Sequence, residues 1–134
     1  RGLGDVYKRQ THIHHGSYRH REGYKGAIAL LQEGVTALIA GDSMMTAGAL
    51  EACHNAGKRI GEEIALVGFD DFIYLRFQPS PISVVDQDVA RMGETATAKL
   101  IAAINEKRQP EGEVLDTRYI PRMSTAHHLN EATP

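Results

Sequence analysis

Val35-Thr36-Ala37-Leu38-Ile39-Ala40-Gly41-Asp42-Ser43-Met44-Met45-Thr46-Ala47-Gly48-Ala49-Leu50 passes from a short apolar run into a helical pattern through Gly41-Asp42-Ser43. Thr36–Ala40 predicts a buried strand. Ser43 is expected to cap a helix that runs to about Ala56 and stops at Gly57. Met44, Ala47, Leu50 and Ala52 or Cys53 would face the sheet, and the small residues Ala47, Gly48 and Ala49 permit close packing. Asp42 then stands at the carboxyl end of a strand and the amino end of a helix. In open α/β sheets, ligands bind in the crevice at those strand ends. A carboxylate there accepts hydrogen bonds from a polyhydroxy ligand, and the helix N-terminus favours its charge.

The same alternation continues outward. Upstream, Tyr24, Ala27, Ile28 and Leu31 repeat at helical spacing within Tyr18–Glu33, and Gly34 comes next as the stop. Downstream, Ile64–Phe69 is a near-continuous apolar run, as expected of a strand buried on both faces. It ends in Asp70-Asp71. Residues 72–78 read as a short helix or loop closed by Pro79-Ser80-Pro81, and Ile82–Val85 as another strand. Asp88 is expected to cap the longest helix, running to about Lys107, with Val89, Met92, Ala96, Leu100 and Ile104 as its apolar stripe. Gly93 within it suggests close packing. Val114–Ile120 alternates like a strand, and Pro121-Arg122-Met123-Ser124-Thr125 begins the tail. This order argues for an α/β fold of three layers, α/β/α, around a mostly parallel sheet.

Composition excludes several classes. The chain has 134 residues, 42% hydrophobic and 24% charged, with a formal net charge of −2. That is an ordinary globular balance, with no basic surface for nucleic-acid phosphates. A single cysteine, Cys53, forbids an internal disulfide and reads as a small buried hydrophobe. No eighteen-residue apolar stretch predicts a membrane span. Residues 1–10 (RGLGDVYKRQ) do not join naturally to the pattern beyond them; they read as a non-native leader or a frayed terminus. His12, His14, His15 and His20 cluster without a Cys, Asp or Glu in their run, which favours a solvated segment or strand edge over a metal site.

Three segments fall at predicted strand ends: Gly41-Asp42-Ser43, Gly68-Phe69-Asp70-Asp71 and Val85-Asp86-Gln87. If the strands are parallel neighbours, these ends share one rim. Asp42 offers acceptor oxygens, and Gln87 offers both a donor and an acceptor. Met44, Phe69 and Phe72 can wall the rim, with Asp70 beside them. A small-ligand rim and a set of merely capped helices both explain these residues. For catalysis there is no nucleophile elbow, no Gly-rich phosphate loop and no Cys/His metal spacing. Adjacent Asp70 and Asp71 would point to opposite faces of a strand. No enzyme activity, catalytic residue, metal or cofactor is expected.

Five segments in order resemble the effector-binding domain of LacI/GalR-family transcriptional regulators, related in fold to periplasmic sugar-binding proteins. They are Ala40–Leu50, Val67-Gly68-Phe69-Asp70-Asp71, Pro81-Ile82-Ser83-Val84-Val85-Asp86-Gln87, Gly93-Glu94-Thr95-Ala96 and Arg122-Met123-Ser124-Thr125. The resemblance covers about residues 18–127. It implies that Asp42 binds ligand hydroxyls or a polar ring and that Gln87 contacts the ligand or lies close to it. Asp70 and Asp71 read rather as turn and cap. It places dimer contacts after Asp71, at Tyr74, Leu75 and Phe77. Gly41 stands where the family often has Asn, Thr46 where Ala is usual, Gly61 where Pro is usual, and Asp86 adds charge beside Gln87.

The resemblance also implies what this chain does not contain: a helix-turn-helix, a hinge, and the amino-terminal subdomain that supplies the other half of the cleft. The expected organisation is a leader at 1–10, the carboxyl-terminal subdomain at 11–127 and a tail at 128–134, a truncated piece of a periplasmic-binding-protein-like fold. The implied whole is a cytoplasmic homodimer that senses a small metabolite, a sugar by preference, and contacts operator DNA through its missing part, with no membrane partner. The alternative is the sugar-binding component of a periplasmic transporter, which the Pro81–Val85 segment and the Arg122–Thr125 tail argue against.

Overall fold

The computed structural model describes residues 12–130. The leader at 1–10 and the tail residues 131–134 lie outside the described residues. The elements are α1 (His20–Gln32), β1 (Ala37–Ile39), α2 (Ser43–Asn55), β2 (Ala65–Phe69), α3 (Ile73–Arg76), β3 (Ser83–Asp86), α4 (Val89–Glu106), β4 (Arg118–Ile120) and α5 (Met123–Asn130). The four strands form one mixed sheet in the order β1-β2-β3-β4. β1, β2 and β3 run parallel, with Leu38 beside Leu66 and Gly68 beside Val84, and β4 returns antiparallel with Ile120 beside Val84. No described helix is long and apolar enough to cross a membrane.

The core lies where Leu38, Leu66 and Val84 cross the sheet under Ala27, Ala49 and Cys53, joined by Ile64, Leu75 and Ile82. The helix after β1 differs from expectation at its start. Asp42, extended at φ −158°, is the N-cap, and Ser43 is already inside the helix. Its buried face differs in part, with Ala52 and Cys53 inward as expected. Thr46, Gly48, Ala49, Ala52 and Cys53 are buried, whereas Met44 is half-exposed and Ala47 and Leu50 are only partly covered. The reason is that α2 packs on two sides, against β2 below and α1 beside it. The α1–α2 crossing is built on glycines. A Cβ at Gly48 would stand 2.2 Å from the His20 carbonyl oxygen, and one at Gly23 would stand 2.5 Å from Met45 Cα. Small-residue contact thus sets how closely the helices approach.

Two expectations fail toward the carboxyl end. The strand expected at Val114–Ile120 is confined to Arg118–Ile120, and the tail folds into α5. The apolar stripe of α4 exists, but Val89, Met92, Leu100 and Ile104 are exposed, and Ala103 is its only buried residue. None of the described residues packs on Gly93. α4 makes no extensive contact with any other described element, so the pattern is present without a surface beneath it.

α5 is latched to the sheet by buried hydroxyls. Ser124 Oγ accepts from Ser83 N at 2.8 Å and donates to the Leu66 carbonyl at 2.6 Å, bridging β2 and β3. Ser83 Oγ meets Thr125 Oγ1 at 2.7 Å and accepts from Arg122 N at 2.8 Å. Gly61 closes the turn against this latch at φ +90°, with Ser80 and Met123 within 3 Å of where a Cβ would be. A proline, held near −65°, cannot take that conformation.

Candidate functional site

The carboxyl ends of β1, β2 and β3 meet on one edge because the strands are adjacent and parallel. Side chains stitch the three ends together. Asp42 Oδ1 accepts from the backbone N–H of Met44 at 2.8 Å and of Met45 at 3.3 Å. Thr46 Oγ1 donates to the Asp42 carbonyl at 2.8 Å and accepts from Phe69 N at 2.9 Å, which ties the β1–α2 turn to the end of β2. Thr46 thus has a structural task that alanine could not perform. It also fills the space opposite Gly68, where a Cβ would stand 2.5 Å from its methyl.

Asp70 comes directly after β2 in the left-handed region, at φ +60°. Its N–H still extends the ladder to the Val85 carbonyl at 2.9 Å. Aspartate is one of the few side chains that enter this region readily, and Asp88 and Lys107 do so as well. The bend turns the carboxylate to Gln87, whose Nε2 donates to Oδ1 at 2.9 Å. Asp70 is only 9% exposed. Its Oδ2 and the Gln87 side-chain carbonyl receive no donor from the described residues. Gln87 is only partly buried and lines a separate crevice with Met92, Thr95 and Lys99.

Asp70 lines a crevice of about 330 Å³ with Asp71, Phe72, Asp86, Asp88 and Arg118 among its walls. Asp86 Oδ2 receives Arg118 at 3.5 Å, and Asp88 caps α4 by accepting from Arg91 N at 3.2 Å. Asp71 turns away from Gln87. It binds Arg122 at 2.7 Å and Arg76 at 2.9 Å, and Arg122 also donates to the Ile82 carbonyl at 2.8 Å. Burial raises the Asp71 carboxyl, but hydrogen bonds and charge from Arg122 and Arg76 outweigh it and hold the pKa below the usual carboxylate range. Asp71 is therefore a structural clamp between the rim and the α5 latch.

The remaining rim candidates divide. Phe72 is the N-cap of α3 and is exposed into the crevice, Phe69 is half-buried at the end of β2, and Met44 stands in the first turn of α2. Phe72 and Tyr74 stack with ring centroids 5.9 Å apart. Burial, with the Asp42 charge, pushes the Tyr74 hydroxyl up. Phe77 is 78% exposed. Leu75 is fully buried in the core and is no surface residue: on a one-turn helix it takes the inward position between Tyr74 and Arg76. Sequence reasoning missed Thr46 as a linker and underrated Asp70, whose residue type permits the bend without announcing it. Among the described residues no group of three or more His, Cys, Asp or Glu could hold a metal. His12 instead meets Glu33 at 2.7 Å, and His20 meets Glu51 at 3.0 Å.

Comparison with known proteins places this geometry. The periplasmic binding protein-like domain matches residues 4–125. The HTH-type transcriptional regulator MalR of Streptomyces coelicolor is 30% identical over 115 residues, which cover 85% of this chain and 33% of MalR. A probable LacI family transcriptional regulator from Corynebacterium glutamicum superposes with a TM-score of 0.68 at 37% identity, over 80% of this chain and 38% of that one. A complex of the transcriptional regulator CelR with cellobiose superposes at 0.71 and 27% identity, over 81% of this chain and 34% of that one. The chain thus spans about a third of the length of the curated relatives it matches.

Proposed function

This chain belongs to the periplasmic binding protein-like domain family, and from that membership we propose that it is the effector-binding portion of a LacI-type transcriptional regulator, taking a sugar at the Asp70–Gln87 rim. The observation that carries the reading is the buried Asp70 carboxylate, which stands at the strand-end rim and accepts from Gln87. A polyhydroxy ligand supplies the donors that its second oxygen and the Gln87 carbonyl lack, and Gln87 Oε1 can read one hydroxyl while Asp70 takes another. The cellobiose found with the similar CelR fits that chemistry. Asp42 adds a second carboxylate, with Oδ2 free of the helix cap.

Half of such a cleft, and the helix-turn-helix that names the regulators, would be supplied by sequence outside this chain. The effector would bind one arrangement of the two halves better than the other and so shift a cytoplasmic dimer between operator-bound and released forms. No cofactor enters this scheme. For the dimer contact, Ile73 and Phe77 are the better candidates, exposed one helical turn apart on the same side of α3. Tyr74 is turned instead to Phe72.

Calorimetric titration of a two-lobed protein carrying this chain, against a panel of neutral sugars, tests the reading. Asp70→Asn should weaken the bound sugar by about 10- to 100-fold, the range of a hydrogen bond to a charged group, and Gln87→Ala less. Asp42→Ser keeps a helix cap and isolates that carboxylate's share. Titrations unchanged by Asp70→Asn would sink the assignment.

A further inference from the structure

We propose that Thr46 is a positioning residue for the effector: its hydroxyl fixes the end of β2 and so sets where the Asp70 carboxylate stands. The inference rests on the reading of the Asp70–Gln87 rim as the sugar site.

The β1–β2 ladder runs out just before Asp70. Ala65 N donates to the Thr36 carbonyl at 2.9 Å, and Ala40 N donates to the Val67 carbonyl at 2.9 Å. Past Ala40 the chain turns into α2, and Thr46 Oγ1 takes the Phe69 N–H at 2.9 Å in place of a strand carbonyl. The same hydroxyl donates to the Asp42 carbonyl at 2.8 Å. One proton and a free lone pair satisfy both bonds at once. Thr46 is wholly buried, and its methyl lies where a Cβ on Gly68 would meet it at 2.5 Å. Both branches of the side chain are therefore engaged, one with the turn and one with the strand.

One residue further, Asp70 N donates to the Val85 carbonyl on β3 at 2.9 Å. Two successive peptides are thus pinned, one to α2 and one to β3, and the Asp70 side chain leaves from the second. After Asp70 the chain is held again, by the grip of Arg122 and Arg76 on Asp71. Thr46 supplies the hold before it. Binding groups need placement to within about 0.5 Å by neighbours that are themselves locked. Without the hydroxyl, the part-buried Phe69 N–H loses its acceptor, and the end of β2 shifts to find another. Asp70 and its bond to Gln87 Nε2, now 2.9 Å, shift with it.

The 134-residue chain tests the positioning without any ligand. In proton–nitrogen NMR spectra, Asp70→Asn should move the Gln87 side-chain amide signals. Thr46→Val, which keeps the shape and removes the hydroxyl, should move the same signals, and Thr46→Ser should leave them in place. Exchange of the Phe69 amide should quicken about tenfold or more in Thr46→Val and not in Thr46→Ser. Protected Leu66 and Val84 amides show the sheet intact in each variant. Gln87 signals unmoved by Thr46→Val, or moved by Thr46→Ser, overturn the proposal, as does an unprotected Phe69 amide in the parent chain, a measurement that needs no variant to fold.

The effector arm uses the two-lobed protein carrying this chain, titrated by calorimetry with glucose, maltose, cellobiose and lactose. Thr46→Val should weaken the sugar bound by the parent about three- to tenfold, and Thr46→Ser about twofold or less. Asp70→Asn should cost clearly less in the Thr46→Val background than alone, because the carboxylate is already displaced. Losses that multiply in full mean that Thr46 acts apart from Asp70 and overturn the positioning role. Binding weakened by Asp70→Asn but not by Thr46→Val overturns that role and spares the sugar site. Binding that Asp70→Asn leaves unchanged overturns the sugar site, and the effector role of Thr46 with it, even where the NMR signals move as expected.

Discussion

Asp70 and Asp71 are neighbours with opposite fates, and the difference lies in one backbone angle. The left-handed bend at Asp70 sends its carboxylate to Gln87, while Asp71 swings to Arg122 and Arg76. The pKa of Asp71 is lower in the folded chain than in the unfolded one. The unfolded chain, with an ordinary Asp pKa near 3.9, therefore binds its proton first as the solution is acidified. The stabilisation is whole well above that value and is lost as pH falls through it toward the depressed folded value. Asp71→Asn should lower stability at pH 7 by roughly 1–3 kcal/mol and flatten the acid limb of the stability curve. Urea unfolding monitored at a series of pH values from neutral to 3 checks both, and an acid limb as steep as the parent's would refute the clamp. The motif positions of both aspartates were legible in the sequence; their division of labour was not. Residue type does not encode φ, and Arg122 lies 51 positions from the carboxylate it holds.

Among the elements, β2 was legible because its apolar run and its burial agree; β1 was found where expected, but only Leu38 in it is buried and Ile39 is 80% exposed. α2 shows the limit of that agreement. Its small residues signalled close approach, but the pattern could not say that one side would meet α1 through Gly48 and the other the sheet through Thr46. α4 shows the reverse case, a clear stripe with no described surface under it. Isolated helices of its length are marginal in water, and amides with few buried contacts around them exchange through local opening. In this chain the central amides of α4 should therefore exchange at least tenfold faster than those of α2, despite the greater length of α4. Residue-resolved hydrogen exchange reads this directly, and equal protection would mean that α4 finds cover. Gly48→Ala is the matching probe of α2, since its methyl must push α1 away at about 2.2 Å. Overpacking of that kind costs typically 1–3 kcal/mol, measurable as a lower urea midpoint.

For the molecule as a whole, Cys53 offers a single internal reporter. It is fully buried in the core cluster, and burial pushes its thiol up to about 11. Thiolate is the reactive form, so at pH 8 the folded chain should scarcely react with a disulfide reagent. Labelling should proceed only through opening of the core and should slow in step with stability as urea is withdrawn. Rapid labelling in the absence of urea would show that α2 lifts from the sheet on its own. The α/β class and the mostly parallel sheet could be read from the alternation of patterns; the strand order, and which strand returns antiparallel, could not. β4 is three residues long and owes its place to partners on β3 and to α5 rather than to its own pattern.

The Ser124 bridge gives this chain a clock. Leu66 and Ser124 are separated by 58 positions, yet the hydroxyl of one answers the carbonyl of the other and joins β2 to β3. At a ribosome's pace of about 5–20 residues per second, the strand waits roughly 3–12 s for the residue that seals it. During that interval the nascent sheet has its middle strands made but not fastened, with unanswered backbone groups and bared aliphatic side chains. A sheet left in that state is open to aggregation until the hydroxyl arrives.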